Sequence, residues 1–194
     1  FTVKKSKDMY MNYFVTGGTG FIGRFLVPKL LDRGATVYLL VRASSMPKVD
    51  GLRELWGADK DQVIAVEGDL ARPKLGVKPA WIKQHAGKID HFFHLAAIYD
   101  MKADAESQRE SNVKGTAQAI ALSKALKSGC FHQVSSIAAA GLYEGTFTED
   151  MFEEAGSMDH PYFLTKHESE GLVRKEKNMN WRIYRPGMVV GHSI

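Results

Sequence analysis

Tyr162 and Lys166 stand four residues apart in the run DHPYFLTKHESE, a spacing that puts both side chains on one face of a helix. A phenol titrates near pH ~10 in water, and an ammonium beside it favours the phenolate. That brings the tyrosine toward acid or base work at neutral pH. Ser135 and Ser136 close the apolar run FHQV, and a serine hydroxyl at a strand end can hydrogen-bond a substrate carbonyl as charge develops on its oxygen. Turn formation is the plainer role of serines in such a place. His94, His132, His160 and His167 show no metal-ligand spacing and Cys130 is the only cysteine, so no metal is expected.

Three glycines, Gly17, Gly20 and Gly23, follow the short apolar run Tyr13-Phe14-Val15 and precede a helical pattern of Ile22, Leu26, Leu30 and Leu31. Their G-x-x-G-x-x-G spacing is a variant of the dinucleotide fingerprint. Glycines there let the backbone turn sharply and approach a pyrophosphate, which the helix N-terminus then stabilises. An NAD site usually carries Asp or Glu about 20 residues further on, to hold the ribose 2′-hydroxyl. Here Val41-Arg42 occupies that place, and Arg24 follows the third glycine. Two arginines can clamp a 2′-phosphate that a carboxylate would repel, so NADPH is the expected cofactor.

The elements that must position these groups alternate. Strands are expected at Tyr13–Val15, Thr36–Val41, Val63–Val66, His91–Leu95, Phe131–Ser135 and Arg182–Val190. Helices are expected at Ile22–Leu31 (stopping at Gly34), near Leu52–Trp56, at Ser107–Lys127 and at Tyr162–Glu176. Pro28 should kink the first helix or cost it stability. Such alternation implies an α/β fold: a doubly wound parallel sheet of the Rossmann type with helices on both faces. Residues 1–10 look like a leader or tag, with Met11 a plausible start. Residues 11–194 read as one NADP-binding domain that is incomplete at its C-terminal end, its substrate region missing.

Composition narrows the class. With 44% hydrophobic and 25% charged residues and ten Phe, seven Tyr and three Trp in 194, the chain has the makings of a packed soluble domain. No run of about 20 apolar residues could span a membrane. One cysteine excludes an internal disulfide and suits a reducing, cytoplasmic setting. The net charge of +4 suits anionic ligands such as phosphate-bearing cofactors, while the scatter of basic residues argues against nucleic acid.

Seven ordered motifs together resemble the extended short-chain dehydrogenase/reductases: TGGTGFIGR, Asp69 in GDL, HLAA at His94–Ala97, Asn112 in NVKGT, Ser136, the Tyr162/Lys166 pair, and Arg185-Pro186-Gly187. Within that superfamily VYLLVR, GDLARPKLGV, HFFHLAAIYD, VSSIAAAGLYEGTF and YRPGMVVGHS are most similar to fatty acyl-CoA reductases of the bacterial Marinobacter type and to thioester reductase domains. The resemblance implies that Gly17, Gly20 and Gly23 contact the pyrophosphate, with Thr19, Phe21 and Ile22 supplying nearby backbone. It implies that Arg24 and Arg42 hold the 2′-phosphate, that Asp69 and Leu70 flank the adenine, and that Ala96 and Ala97 line the path to the nicotinamide ribose. Pro186, Gly187 and Met188 would sit beside the carboxamide. Ser136, better aligned than Ser135, would be the catalytic serine and Tyr162 the proton donor. Lys166 would bind the ribose and lower the Tyr162 pKa, and Asn112 would support the active-site helix and a proton-relay water.

The activity so implied is NADPH-dependent reduction of a long-chain fatty acyl thioester, on coenzyme A or acyl-carrier protein, to the aldehyde and on to the alcohol. The residues leave open a relative acting on a nucleotide sugar or small carbonyl compound, and a module that binds NADPH without chemistry. Replacing both Arg24→Ala and Arg42→Ala should cut the ratio of NADPH to NADH affinity by about tenfold or more, which is ~1.4 kcal/mol. Titration of each cofactor against wild type and variant measures it, and an unchanged ratio would remove both arginines from cofactor choice.

Overall fold

In the computed structural model, residues 10–98 and 104–191 are described. Strands β1 (Asn12–Thr16), β2 (Thr36–Val41), β3 (Val63–Glu67), β4 (His91–His94), β5 (Cys130–Val134) and β6 (Trp181–Tyr184) form one parallel sheet in the order β3-β2-β1-β4-β5-β6. This is the doubly wound Rossmann order, and the chain reverses direction across the sheet between β1 and β4. The helices are α1 (Phe21–Leu31), α2 (Lys48–Trp56), α3 (Pro79–His85), α4 (Ala105–Gln108), α5 (Gly115–Leu126) and α6 (Pro161–Arg174). No described helix is long and apolar enough to cross a membrane.

Alternation of side chains along the strands builds two cores. Phe14, Phe92 and Phe131 point to one face, where Leu75, Ile82, Leu122, Leu126 and Val173 cover them. Val15, Val37, Leu39 and Val63 point to the other, against Val27 and Leu30 of α1 and Val49 and Leu52 of α2. Burial on both faces explains why β1 and β2 read as nearly continuous apolar runs.

Three elements depart from the sequence expectations. First, α3 lies where none was expected; Pro79 at its first position is the start signal, and Trp81 stacks on His85 with ring centroids 3.9 Å apart. Second, the expected helix Ser107–Lys127 is wound in three pieces: α4, a wider π turn over Arg109–Lys114, and α5, with Gly115 N–H donating to Glu110 O five residues back. Third, β6 stops at Tyr184 instead of Val190. Arg185 turns inward to an ion pair, Pro186 has no N–H to offer a ladder, and residues 187–190 are exposed. The first helix runs to Leu31 with Pro28 inside it, as expected, and Asp32 N–H donates to Pro28 O at 2.9 Å. The expected leader falls almost wholly outside the described residues.

Between β3 and α3 the chain makes a tight left-handed turn, with Lys74 at φ 49°, Leu75 at φ 56° and Gly76 at φ 68°. A branched side chain such as Leu rarely adopts this backbone. Complete burial of Leu75 offsets the strain, and its carbonyl accepts the N–H of Asp69 at 2.8 Å. Leu75→Ala should therefore cost about 2–5 kcal/mol of unfolding free energy. A urea titration measures this, and a midpoint unmoved by the substitution would show that the turn does not depend on that side chain.

Candidate active site

The strand register decides which loops meet. Thr16 pairs with both Leu40 and His94, His94 with Gln133, and Val134 with Tyr184. The residues that follow these strand ends, from Gly17, Ala96, Ser136 and Pro186, therefore share one rim of the sheet, where open α/β sheets hold ligands. A cleft of about 810 Å³ opens there. Ten of the expected cofactor residues line it: Gly17, Thr19, Gly20, Phe21, Ile22, Arg42, Asp69, Leu70, Ala96 and Ala97. Ser45, in the turn after β2, Ser107, on α4, and Ser111, on the π turn, also line it and were not foreseen, since an isolated serine carries no motif that singles it out.

The glycine loop fits a dinucleotide. Gly17 sits at φ +70°, and a Cβ there would lie 2.6 Å from Ala96 N, so only glycine lets β1 and β4 approach at the rim. Helix α1 starts at Gly20 with no side-chain cap and no acidic residue in its first turn, leaving N–H groups and the positive dipole end for an anion. Gly23 has a different part from the one expected. It is buried, and a Cβ on it would lie 2.3 Å from Gly18 Cα, so it packs α1 against the loop rather than lining the cleft. Arg24 is exposed one residue beyond, outside the cleft lining.

The two serines have different fates. Ser135 is buried and its hydroxyl donates to Glu170 Oε2 at 2.8 Å. Ser136 is half-buried at the rim, where its Oγ accepts the N–H of Ala138 at 3.1 Å and starts a short 3₁₀ turn, Ile137–Ala140. Ile137 N–H in turn donates to Pro186 O at 3.1 Å, setting the Pro186–Met188 segment beside Ser136. His167 Nδ1 lies 2.9 Å from Ala139 O, which holds α6 against the same turn. Pro186 borders a shallower depression with Ile22, Val134 and Val189, and Met188 is 89% exposed.

Helix α6 carries Tyr162 in its first turn, capped by His160 Nδ1 accepting the Tyr162 N–H at 3.1 Å, with Pro161 leading the helix. Tyr162 is half-buried, and its hydroxyl has no hydrogen-bond partner among the described residues. Lys166, one turn on, is 5% exposed and donates from Nζ to Val134 O at 3.3 Å. Burial pulls its ammonium down to about 8, against the opposing pull of the Glu170 carboxylate.

Two buried networks hold these groups, and neither was visible in the sequence. Glu170 is fully buried and receives hydrogen bonds from Ser135, from Arg174 Nε at 2.8 Å and from Arg185 Nη2 at 2.6 Å. Burial would raise its carboxyl, but the bonds from Arg185, Arg174 and Ser135 prevail and hold it below its ordinary value. The second network runs from Ala96 N–H to Thr16 Oγ1, from that hydroxyl to His94 Nδ1, from His94 Nε2–H to Thr116 Oγ1, and from that hydroxyl to Asn112 O. Burial, helped by the Lys166 charge, drops the His94 imidazole to about 3, so the ring is neutral.

Asn112 is itself committed. Its Oδ1 accepts Ile98 N–H at 2.8 Å, while Nδ2 donates to Ile98 O at 3.0 Å and Thr165 Oγ1 at 3.3 Å. The side-chain amide thus pairs with Ile98 as a neighbouring strand would, and links the loop after β4 to α6. That link is in keeping with the supporting role toward the helix expected of Asn112.

Residues 15–194 match the profile of an NAD-binding family described as male sterility protein. The chain is 33% identical over 195 residues to a component of the linear gramicidin synthase of Brevibacillus parabrevis, covering 92% of this chain and 4% of that protein. Among solved structures it is similar to the terminal R domain from the myxalamid PKS-NRPS biosynthetic pathway, with a TM-score of 0.82 and 28% identity over 95% of this chain and 50% of that one. It is also similar to the reductase (R) domain of a non-ribosomal peptide synthetase from Mycobacterium tuberculosis, with a TM-score of 0.75 and 25% identity over 93% of this chain and 49% of that one. The chain spans about half the length of both solved domains.

Because the Glu170 carboxyl is held low in the folded state, its contribution to stability is present above its unfolded value of about 4.3 and is lost as pH falls through the folded value. Glu170→Gln should cost about 3–5 kcal/mol at neutral pH, since two arginines lose a buried partner. It should also flatten the loss of stability below pH ~4.3. Urea unfolding at several pH values measures both, and an acid limb as steep as the wild type's would show that another group carries it.

Proposed function

Since the chain belongs to the male sterility protein family of NAD-binding domains, we propose that it is the cofactor half of a reductase that uses NADPH to reduce a long-chain acyl thioester to the aldehyde and then the alcohol. The observation that carries this reading is the convergence on one rim of the glycine loop, Ser136, the Pro186 segment and the second turn of α6, where Lys166 reaches Val134 O and His167 reaches Ala139 O. Likeness to reductase domains of peptide synthetases supports thioester chemistry.

In this reading the α1 N-terminus, Gly17 and Gly20 hold the pyrophosphate, with Thr19, Phe21 and Ile22 beside them and Gly23 keeping the helix close. Arg24 and Arg42 hold the 2′-phosphate, and Asp69 and Leu70 flank the adenine. Ala96, Ala97 and Lys166 receive the nicotinamide ribose, and Pro186, Gly187 and Met188 border the carboxamide. Bound NADPH supplies the hydride, and the protein supplies position and electrostatics. The Ser136 and Tyr162 hydroxyls donate to the thioester oxygen as negative charge builds on it. Collapse of that oxyanion breaks the carbon–sulfur bond and releases the thiolate and the aldehyde. The second reduction needs a fresh NADPH in place of the spent cofactor to supply its hydride, while Tyr162 gives its proton to the aldehyde oxygen and the alcohol leaves.

Coenzyme A and acyl-carrier protein present the acyl group on the same phosphopantetheine thiol, and the basic balance of the chain suits the phosphates of either. The narrower likeness to Marinobacter-type reductases favours coenzyme A, while the synthetase relatives favour a carrier protein. In a full-length enzyme, Tyr162→Phe should lower NADPH oxidation with palmitoyl-CoA or palmitoyl-carrier protein by roughly 10²–10⁴-fold. The NADPH dissociation constant, measured by fluorescence titration, should stay within about twofold. Wild-type turnover in the variant would remove Tyr162 from the mechanism, and turnover of a UDP-sugar with neither thioester active would overturn the substrate class.

A further inference from the structure

At the opposite end of the sheet from the cleft, three side chains with metal-binding chemistry converge. His91 opens β4 and Cys130 opens β5, and the parallel register sets the two side by side. His132, two residues along β5, projects from the same face as Cys130. Nδ1 of His91 lies 2.9 Å from Nε2 of His132, and one ligand atom from each of the three side chains lies within 4.8 Å of the other two. The backbone ladder thus brings His91 to groups 39 residues or more away in sequence, which is why their spacing along the chain suggested no metal.

We propose that His91, Cys130 and His132 bind a divalent cation of the zinc class. Two imidazole nitrogens and a thiolate form a borderline-soft set that suits zinc rather than magnesium or calcium. Around a tetrahedral zinc with bonds of about 2.0–2.3 Å, neighbouring ligand atoms stand roughly 3.3–3.6 Å apart, so the two rings need only separate slightly. The other nitrogen of His132, Nδ1, lies 2.9 Å from the Tyr184 hydroxyl. An N–H donated there orients the ring and leaves the Nε2 lone pair for the metal. The Asp90 carboxylate neighbours His91, and the Arg182 guanidinium lies close to both His91 and Cys130. On binding, the His91 proton moves from Nδ1 to its solvent-side Nε2, which frees the Nδ1 lone pair for the metal, and the Cys130 thiol proton passes to solvent. A fourth position remains for water, and the ion clamps β4 to β5, with β6 joined through Tyr184.

The site is about 10 Å of strand away from the rim, so it stands or falls separately from the reductase reading. Co²⁺ titrated into the full, reduced chain should give a thiolate-to-metal charge-transfer band that saturates at one equivalent and is displaced by Zn²⁺. Cys130→Ser should abolish the band, and His91→Ala should weaken Co²⁺ binding by at least tenfold. Zn²⁺ should raise the melting temperature of the wild type and of neither variant, with circular dichroism confirming that each is folded. His91 is only half-buried, so its alanine variant decides the matter if Cys130→Ser does not fold. Absence of a thiolate band at stoichiometric Co²⁺, or stabilisation by Zn²⁺ undiminished in the folded variants, would overturn the proposal.

Discussion

A carboxylate without access to water governs the geometry of the rim. Glu170 lies on the buried face of α6 and is paired from three directions, by Ser135 at the end of β5, by Arg174 on its own helix, and by Arg185 just after β6. An uncompensated charge in that place would be costly, so the three partners must arrive together. Their arrival decides much else. The neighbour of Ser135 is Ser136 and the neighbour of Arg185 is Pro186, so the groups proposed to face the substrate and the nicotinamide take their places from bonds made beneath them. Arg185 extends the same bracing outward through Thr148 O and Met151 O, which ties in part of the long loop before α6.

The sequence was most legible where chemistry and periodicity coincide. The glycine turn, the Tyr162–Lys166 spacing and all six strands, the last of them read too long, could be read because each depends on neighbours along the chain. What escaped notice depends on neighbours in space. Glu170 and Arg185 are 15 residues apart and look like ordinary surface charges. His94, Thr16 and Thr116 meet only once β1, β4 and α5 are packed. The overlong reading of β6 has the same origin: MVV is apolar enough for a strand, but among the described residues the register with β5 ends at Tyr184. The π turn escaped because RESNVK holds no glycine or proline to mark a break in the helix, and the widened turn changes the hydrogen-bond ladder rather than the residue types.

The two ends of the proposed cofactor cleft are built by different means. At the glycine end the backbone comes close because side chains are missing, with Gly17 against Ala96 and Gly23 against Gly18. At the end marked by Asp69 the loop is shaped instead by a side chain that is present, Leu75, whose burial holds the left-handed turn to which Asp69 is bonded. Asp69 then caps its own loop by accepting the Ala71 N–H at 2.9 Å.

The hydrogen-bonded series that begins at Ala96 and ends at Asn112 has a polarity that no single rotation can undo. A peptide N–H can only give and a peptide oxygen can only receive, so the hydroxyl of Thr16, the imidazole of His94 and the hydroxyl of Thr116 are left one self-consistent orientation among them. The imidazole is therefore locked in the Nε2-protonated tautomer. The loop after β4 and the widened helical turn, which both line the cleft, are thus joined through the interior by a directed series of hydrogen bonds rather than by the chain itself.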